Sequence, residues 1–486
     1  MGLKVLFLSV SIFATLSSFL CQSQPIIELD KALNDLAKSE YLRNGQISFT
    51  LLDTNGDPIS TYNPDQFLSP ASNLKLLPSI AALDILGDDY RFKTLLGYSG
   101  KIVHGVLEGD IVIQGFGDPT LGSNRFSYNQ DFNALLNLWV SKIKSSGIKS
   151  VRGNIIANAG KFSFNTIPDG WIWTDIGNYY GAGSGGININ ENQYRLFFKP
   201  GKVGDQADVL RTEPEIPYLK FVNEMKTGKP GSGDLGYIFG GPFSEIKVLQ
   251  GTIPAGLTEF SIKGSIPDPA YFLAFSLHKK LLEHQILISE DILNAQLEPK
   301  YLETKVVELH TQLSPPLSEI VKELNYHSIN LYAEALLNIL GYNKYGLGNT
   351  KKGLQVLQEW LLVKYRIELP KNCLQDGSGL SPTNSISSDI LAKLLFQNKD
   401  RTTFVQALPV SGMSGTMKNF CASKETTGKI LAKSGSYNRV IGYSGYIVNQ
   451  HGKLQAFSIL INNYNGSYSA IRKQIEIILT KASKTD

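Results

Sequence analysis

The chain reads as an α+β protein in which a β-rich region is inserted between two helix-bearing parts. Three observations predict this. Apolar residues recur at helical spacing after Ser72 and again over 317–341 and 351–365. Between about 95 and 305, short β-like runs such as Gly109-Asp110-Ile111-Val112-Ile113-Gln114-Gly115 alternate with Gly, Pro and Asn turns. Near the C-terminus three alternating segments precede a last helical pattern. At 486 residues the chain has room for two or three domains, each with its own core.

The N-terminus is expected to be removed. Lys4 is followed by the apolar run Val5 to Leu20 and then by Cys21-Gln22-Ser23-Gln24-Pro25, the pattern of a secretory signal peptide cut after Ser23. The run is 16 residues, short of the roughly 20 that cross a bilayer. A lipid-modified Cys21 is the rival reading, disfavoured by the bulky Leu20 before it. No later segment reads as a membrane span, so an exported, periplasmic protein is expected. Cleavage leaves Cys373 and Cys421, which an oxidising compartment allows to pair. A disulfide and two buried thiols both remain open.

Residues 45–63 alternate apolar and polar around Asp53-Thr54-Asn55-Gly56-Asp57-Pro58, which predicts two strands and a tight turn. Asp53, Asn55 and Asp57 have calcium-loop spacing, yet Pro58 stands where that loop needs glycine, so a turn is the better reading. Ser69-Pro70-Ala71-Ser72 opens a helix that Gly87 closes, with Pro78 predicting a kink or an irregular start. Inside the β-rich region helices are expected at 131–146 and 268–285, and Gly228 to Gly233 as an exposed loop. At the C-terminus strands are expected at 429–437, 440–449 and 453–463, then a helix over 467–482.

Composition excludes several functions. Hydrophobic residues at 42% and charged residues at 19% describe an ordinary globular protein. A formal charge of +4 gives no support to nucleic-acid binding. There is no Cys-x-x-Cys, no His-Glu-x-x-His and no phosphate-binding glycine loop, so neither a metal nor a nucleotide cofactor is implied. No Gly-x-Ser-x-Gly elbow accompanies His327.

Three separated pieces carry chemistry. Ser-x-x-Lys occurs five times, at Ser72, Ser141, Ser146, Ser244 and Ser276. Ser72 stands apart because it opens an apolar helix, with Lys75 one turn later on the same face. A serine hydroxyl needs a base to attack, and a lysine serves when its pKa is lowered. Ser328 and Asn330 precede a helical pattern, where capping is the default role. Lys433-Ser434-Gly435-Ser436 falls in a predicted strand, and a glycine there admits another backbone.

Ser-x-x-Lys, Ser-x-Asn and Lys-Thr/Ser-Gly in this order resemble the active-site set of penicillin-binding proteins and serine β-lactamases. Pro70-Ala71-Ser72-Asn73-Leu74-Lys75-Leu76, Gly117-Asp118-Pro119-Thr120-Leu121, Asn190-Glu191-Asn192 and Asn330-Leu331-Tyr332-Ala333-Glu334 narrow the likeness. So do Asp376-Gly377-Ser378-Gly379-Leu380-Ser381, Leu408-Pro409-Val410 and Gly415-Thr416. Nearly the whole mature chain resembles the class C, low-molecular-mass D-alanyl-D-alanine carboxypeptidase/endopeptidase family, peptidase family S13. The resemblance implies a transpeptidase-like domain, an antiparallel sheet with helices on both faces, over 24–95 and 306–486. Residues 96–305 would form the insert, as two nested β-rich domains.

It further implies Ser72 as nucleophile and Lys75 as base, with Ser328 and Lys433 relaying a proton to the leaving amine. Asn330, Ser434, Gly435 and Ser436 would bind substrate, the backbone N–H groups of Ser72 and Ser436 holding the oxyanion. Peptidoglycan stem peptides would be substrates and β-lactams covalent inhibitors. A non-catalytic wall-binding protein and a β-lactamase or esterase are the alternatives. Family members often carry an aspartate for the diaminopimelate amino group near 158–162, where this chain has Asn158 beside Ala157.

Overall fold

The computed structural model describes residues 24–485; the signal-like segment with Cys21 lies outside the described residues. The alternating segments at the two ends of the chain meet in one five-stranded sheet. Its order is Ile430–Tyr437, Val440–Val448, Leu454–Asn462, Gln46–Leu52, Pro58–Tyr62, antiparallel throughout. Between the last two strands, Asp53 Oδ1 accepts from the backbone N–H groups of Asn55, Gly56 and Asp57, each at 2.8 Å. That is an aspartate-stabilised turn.

Both faces of this sheet are covered. The helices over 24–37 and Tyr468–Ala482 bury Leu29, Leu33, Ile471, Ile475 and Leu479 against Phe49, Leu51, Ile459 and Ile461. On the other face, Leu76–Leu86, Asn330–Tyr345, Thr350–Tyr365 and Ser388–Gln397 form a second core that includes Tyr446 and Leu460. Val440–Val448, covered on both sides, is accordingly buried along almost its full length.

The other four sheets use only strands between residues 93 and 313. Lys93–Tyr98 enters this region and Val307–Leu313 leaves it, and the two are antiparallel neighbours. Strands Gln193–Lys199, Asp208–Glu213 and Phe260–Ser265 form a separate sheet deeper in this excursion. The excursion has its own core around Trp139, Tyr194, Phe198 and Leu277, with helices Phe132–Ser145 and Pro269–Glu283 packed into it.

Two local features differ from the expected pattern or refine it. The helical stretch 317–341 is two helices, Leu317–His327 and Asn330–Tyr345, because Ser328 adopts a left-handed φ of 57°. Pro78 sits in the first turn of Leu76–Leu86, after a 3₁₀ segment Ala71–Lys75. The irregular start absorbs the proline, whose missing N–H falls where an α-helix has no partner to offer. Cys373 and Cys421 are separate buried thiols in different cores. Burial pushes them up to about 11 and about 12.

Candidate active site

Ala71 has a left-handed φ of 45°, strain of a kind that concentrates at functional sites. It lifts Ser72 to the mouth of a cleft of about 650 Å³ between the large sheet and the inserted region. Lys75, one turn later, is wholly buried. The turn rests on the edge strand Ile430–Tyr437. A Cβ on Gly435 would lie 2.7 Å from Asn73 Nδ2, Pro70 O and Ser72 N, so only glycine permits this approach. Gly379, at φ 78°, backs the turn from the other side, where a Cβ would meet Ala71 O at 1.9 Å.

Lys75 Nζ donates to Ser72 Oγ at 2.8 Å, Asn330 Oδ1 at 2.6 Å and Ser378 O at 2.6 Å. Burial pushes its ammonium down to about 7, while the carboxylates of Asp376 and Glu334 pull the other way. Near neutrality a large fraction is therefore the free amine, with two N–H groups held by Asn330 and Ser378 and a lone pair left for the serine proton. Asp376 and Glu334 are themselves buried. Asp376 accepts from the N–H of Gly379 and Ser381, Asn384 Nδ2 and Trp171 Nε1. Glu334 accepts from the N–H of Gly377 and Ser378. Burial raises both above the usual carboxylate range.

The second hydroxyl and lysine stand beside the first pair. Lys433 Nζ donates to Ser328 Oγ at 2.8 Å and to Ser434 O at 2.6 Å. Burial, reinforced by the nearby Lys75, holds its pKa well below the ordinary lysine value. The left-handed Ser328 is the C-cap of Leu317–His327, its backbone N–H donating to Leu324 O, and this break leaves its hydroxyl to accept from Lys433. Asn330 bridges the two halves of the molecule, since its Nδ2 donates to Tyr180 O at 2.7 Å. Ser434 Oγ donates to Thr416 Oγ1 at 2.8 Å, and Ser436 lines the cleft. Ile430–Tyr437 is the outer strand of its sheet, so one row of its backbone groups faces away from the ladder.

The residues expected from the three motifs thus converge, although 255 positions separate Lys75 from Asn330. The four competing serines do not line the cleft. Ser146, Ser244 and Ser276 spend their hydroxyls on nearby carbonyls, and Ser141 is exposed on a helix. His327 pairs with Glu323 at the rim.

Two further segments bear on the site. Asp376-Gly377-Ser378-Gly379 carries no chemistry by composition, yet it supplies a Lys75 acceptor and a buried carboxylate. Its only signal was its place in the family pattern. Asn158 does not face the cleft: it is buried, donating to Leu302 O and accepting from Gly160 N–H. Two carboxylates line the cleft, Glu191, which is held by Arg125, and Asp175, whose Oδ1 accepts from Tyr180 OH at 3.3 Å. Burial raises the pKa of Asp175.

A family model, the D-Ala-D-Ala carboxypeptidase 3 (S13) family, matches residues 29–482. The chain belongs to that family. It is 26% identical to the D-alanyl-D-alanine carboxypeptidase of Actinomadura sp. (strain R39), over 91% of this chain and 82% of the relative. To D-alanyl-D-alanine carboxypeptidase DacB of Haemophilus influenzae it is 24% identical, over 94% and 93%. The crystal structure of penicillin-binding protein 4 (DacB) from Haemophilus influenzae shares the fold. It has a TM-score of 0.79 and 22% identity, covering 93% of this chain and 99% of that one. The α+β architecture is therefore that of the family, and no helix among the described residues is long and apolar enough to cross a membrane.

Proposed function

We propose that this chain is a serine-type D-Ala-D-Ala carboxypeptidase that hydrolyses peptidoglycan stem peptides through an acyl-enzyme on Ser72. The observation that carries the reading is the 2.8 Å contact between Ser72 Oγ and a wholly buried Lys75 Nζ. Lys75 as free amine takes the hydroxyl proton while Ser72 Oγ attacks the carbonyl of the D-Ala-D-Ala bond. The backbone N–H groups of Ser72 and Ser436 receive the developing oxyanion; one such donor is worth about 10²–10³ in rate. Ser328 and Lys433 pass a proton to the leaving amine, and water then releases the acyl group. Asn330 fixes Lys75 and, with Ser434 and Gly435, holds the peptide against the edge strand. Asp175, in the cleft lining, serves as partner for a substrate amino group.

The division into 24–95 with 306–486 around an insert over 96–305 belongs to the same reading, as does export after loss of 1–23. A related solved structure of penicillin-binding protein 4 from Haemophilus influenzae is complexed with a β-lactam, and acylation of Ser72 by β-lactams is proposed here. Fluorescent penicillin should label the wild type covalently, and Ser72→Ala should abolish labelling. Persistent labelling of that variant defeats the nucleophile assignment. Rapid turnover of the adduct indicates a β-lactamase instead. Digestion of purified cross-linked peptidoglycan, read by product mass, separates loss of single D-Ala residues from cleavage of cross-linked dimers.

A further inference from the structure

The inserted region lends the cleft a cation that the proposed chemistry does not use. Lys263, on strand Phe260–Ser265, lines the cleft together with Ser72 and Ser328. Its ammonium makes no hydrogen bond or ion pair among the described residues. It lies over the Tyr179 ring, 5.3 Å from Nζ to the centroid. Its neighbour across the ladder is Arg195, and like charges directly opposite each other in a sheet are destabilising. On the far side of Arg195 the register partner is Glu213, whose carboxylate is bonded to Arg211 at 2.9 Å. The buried carboxylate nearby, Glu191, is taken by Arg125 Nε at 2.5 Å and Nη2 at 3.1 Å, by Ser123, by Gln193 and by Tyr332 OH. Lys263 and Arg195 thus make no ion pair among the described residues, although Asp131, Glu191 and Glu213 line the same space. That space is a second cavity of about 500 Å³ that shares Arg125, Glu191, Gln193 and Lys263 with the cleft.

Resting on the stem-peptide reading of the cleft, the geometry points to Lys263 as an anion-receiving subsite that binds a free carboxylate of the substrate peptide, upstream of the scissile bond. A half-buried ammonium without a partner bears a desolvation cost that a bound carboxylate offsets through a charge-assisted hydrogen bond. Burial first, then Arg195 and Arg125, lower the pKa of Lys263, with Glu191 acting in the opposite direction. A carboxamide has no charge to return, so the subsite separates free from amidated stem peptides.

The test uses synthetic stem peptides ending in D-Ala-D-Ala, as the free acid and with one upstream carboxylate at a time converted to carboxamide. D-Ala release is measured for wild type, Lys263→Met and Lys263→Arg, with thermal melting to establish that each is folded. Wild type should prefer the free acid over one of the amides by about tenfold in kcat/KM, mostly through KM. Lys263→Met should handle the two nearly alike, and Lys263→Arg should keep most of the preference. The amide that matters identifies which carboxylate sits there. A wild type indifferent to every amide overturns the subsite while D-Ala release upholds the peptidase reading. An undiminished preference in Lys263→Met also overturns it. No D-Ala release from any peptide defeats the peptidase reading, and the subsite with it.

Discussion

Two lysines serve one cleft in opposite conditions. Lys75, on the catalytic half, is wholly buried, and three acceptors surround its nitrogen. Lys263, on the inserted half, is half-buried with an aromatic ring and no acceptor. A group that must gain and lose a proton needs a fixed geometry and a pKa near the working pH, so its surroundings are complete before substrate arrives. A group that recognises charge gains most when its partner is supplied by the substrate. The two therefore should differ in what their removal disturbs: Lys75 the chemical step, Lys263 the choice of peptide.

The largest expected effect tests the first half of that contrast. Lys75→Ala should slow acylation by penicillin about 10²- to 10⁴-fold, read as the second-order labelling rate. In the wild type, kcat/KM should climb as pH rises through about 7, because the ammonium loses its proton there and the free amine is the base. A wild-type profile flat between pH 6 and 8 would remove Lys75 as the titrating base. Gly435→Ala should follow, at roughly 10²-fold in the labelling rate, since the added Cβ pushes on the Ser72 N–H and displaces the nucleophile. A variant that labels at the wild-type rate would show that the turn has slack. Asp175→Asn should give the smallest change. It should raise KM about tenfold for peptides bearing a free side-chain amine, the scale of one charge-assisted contact, with kcat nearly unaltered. An equal loss for peptides lacking that amine would make Asp175 a support for Tyr180 and not a recognition group.

Much of the fold was legible locally. The turn at Asp53, the helices at 132–145 and 269–283 and the three C-terminal strands follow from alternation, periodicity and capping residues such as Asp131 and Asp268. Helical periodicity could not reveal the break at Ser328. The apolar pattern runs on through it, and although the left-handed serine caps Leu317–His327, only tertiary packing sets its hydroxyl against Lys433. Asp376 and Glu334 escaped for a similar cause. Their effect on Lys75 depends on burial of all three groups, which neighbouring residues do not encode. Asp175 had no signal in the chain, because its place in the cleft lining depends on how the region around it folds against the large sheet.

The order of the motifs, the type of each chemical group and the family therefore came from the linear chain. A hydroxyl, an amine and an amide are properties of residues wherever they stand. What the tertiary structure alone decided is their state: an amine held near neutrality, a serine hydroxyl turned toward a second lysine, a third lysine left without a partner. Protonation and pairing depend on solvent exclusion and on distances between groups hundreds of residues apart. Those quantities exist only once the chain has closed around the cleft.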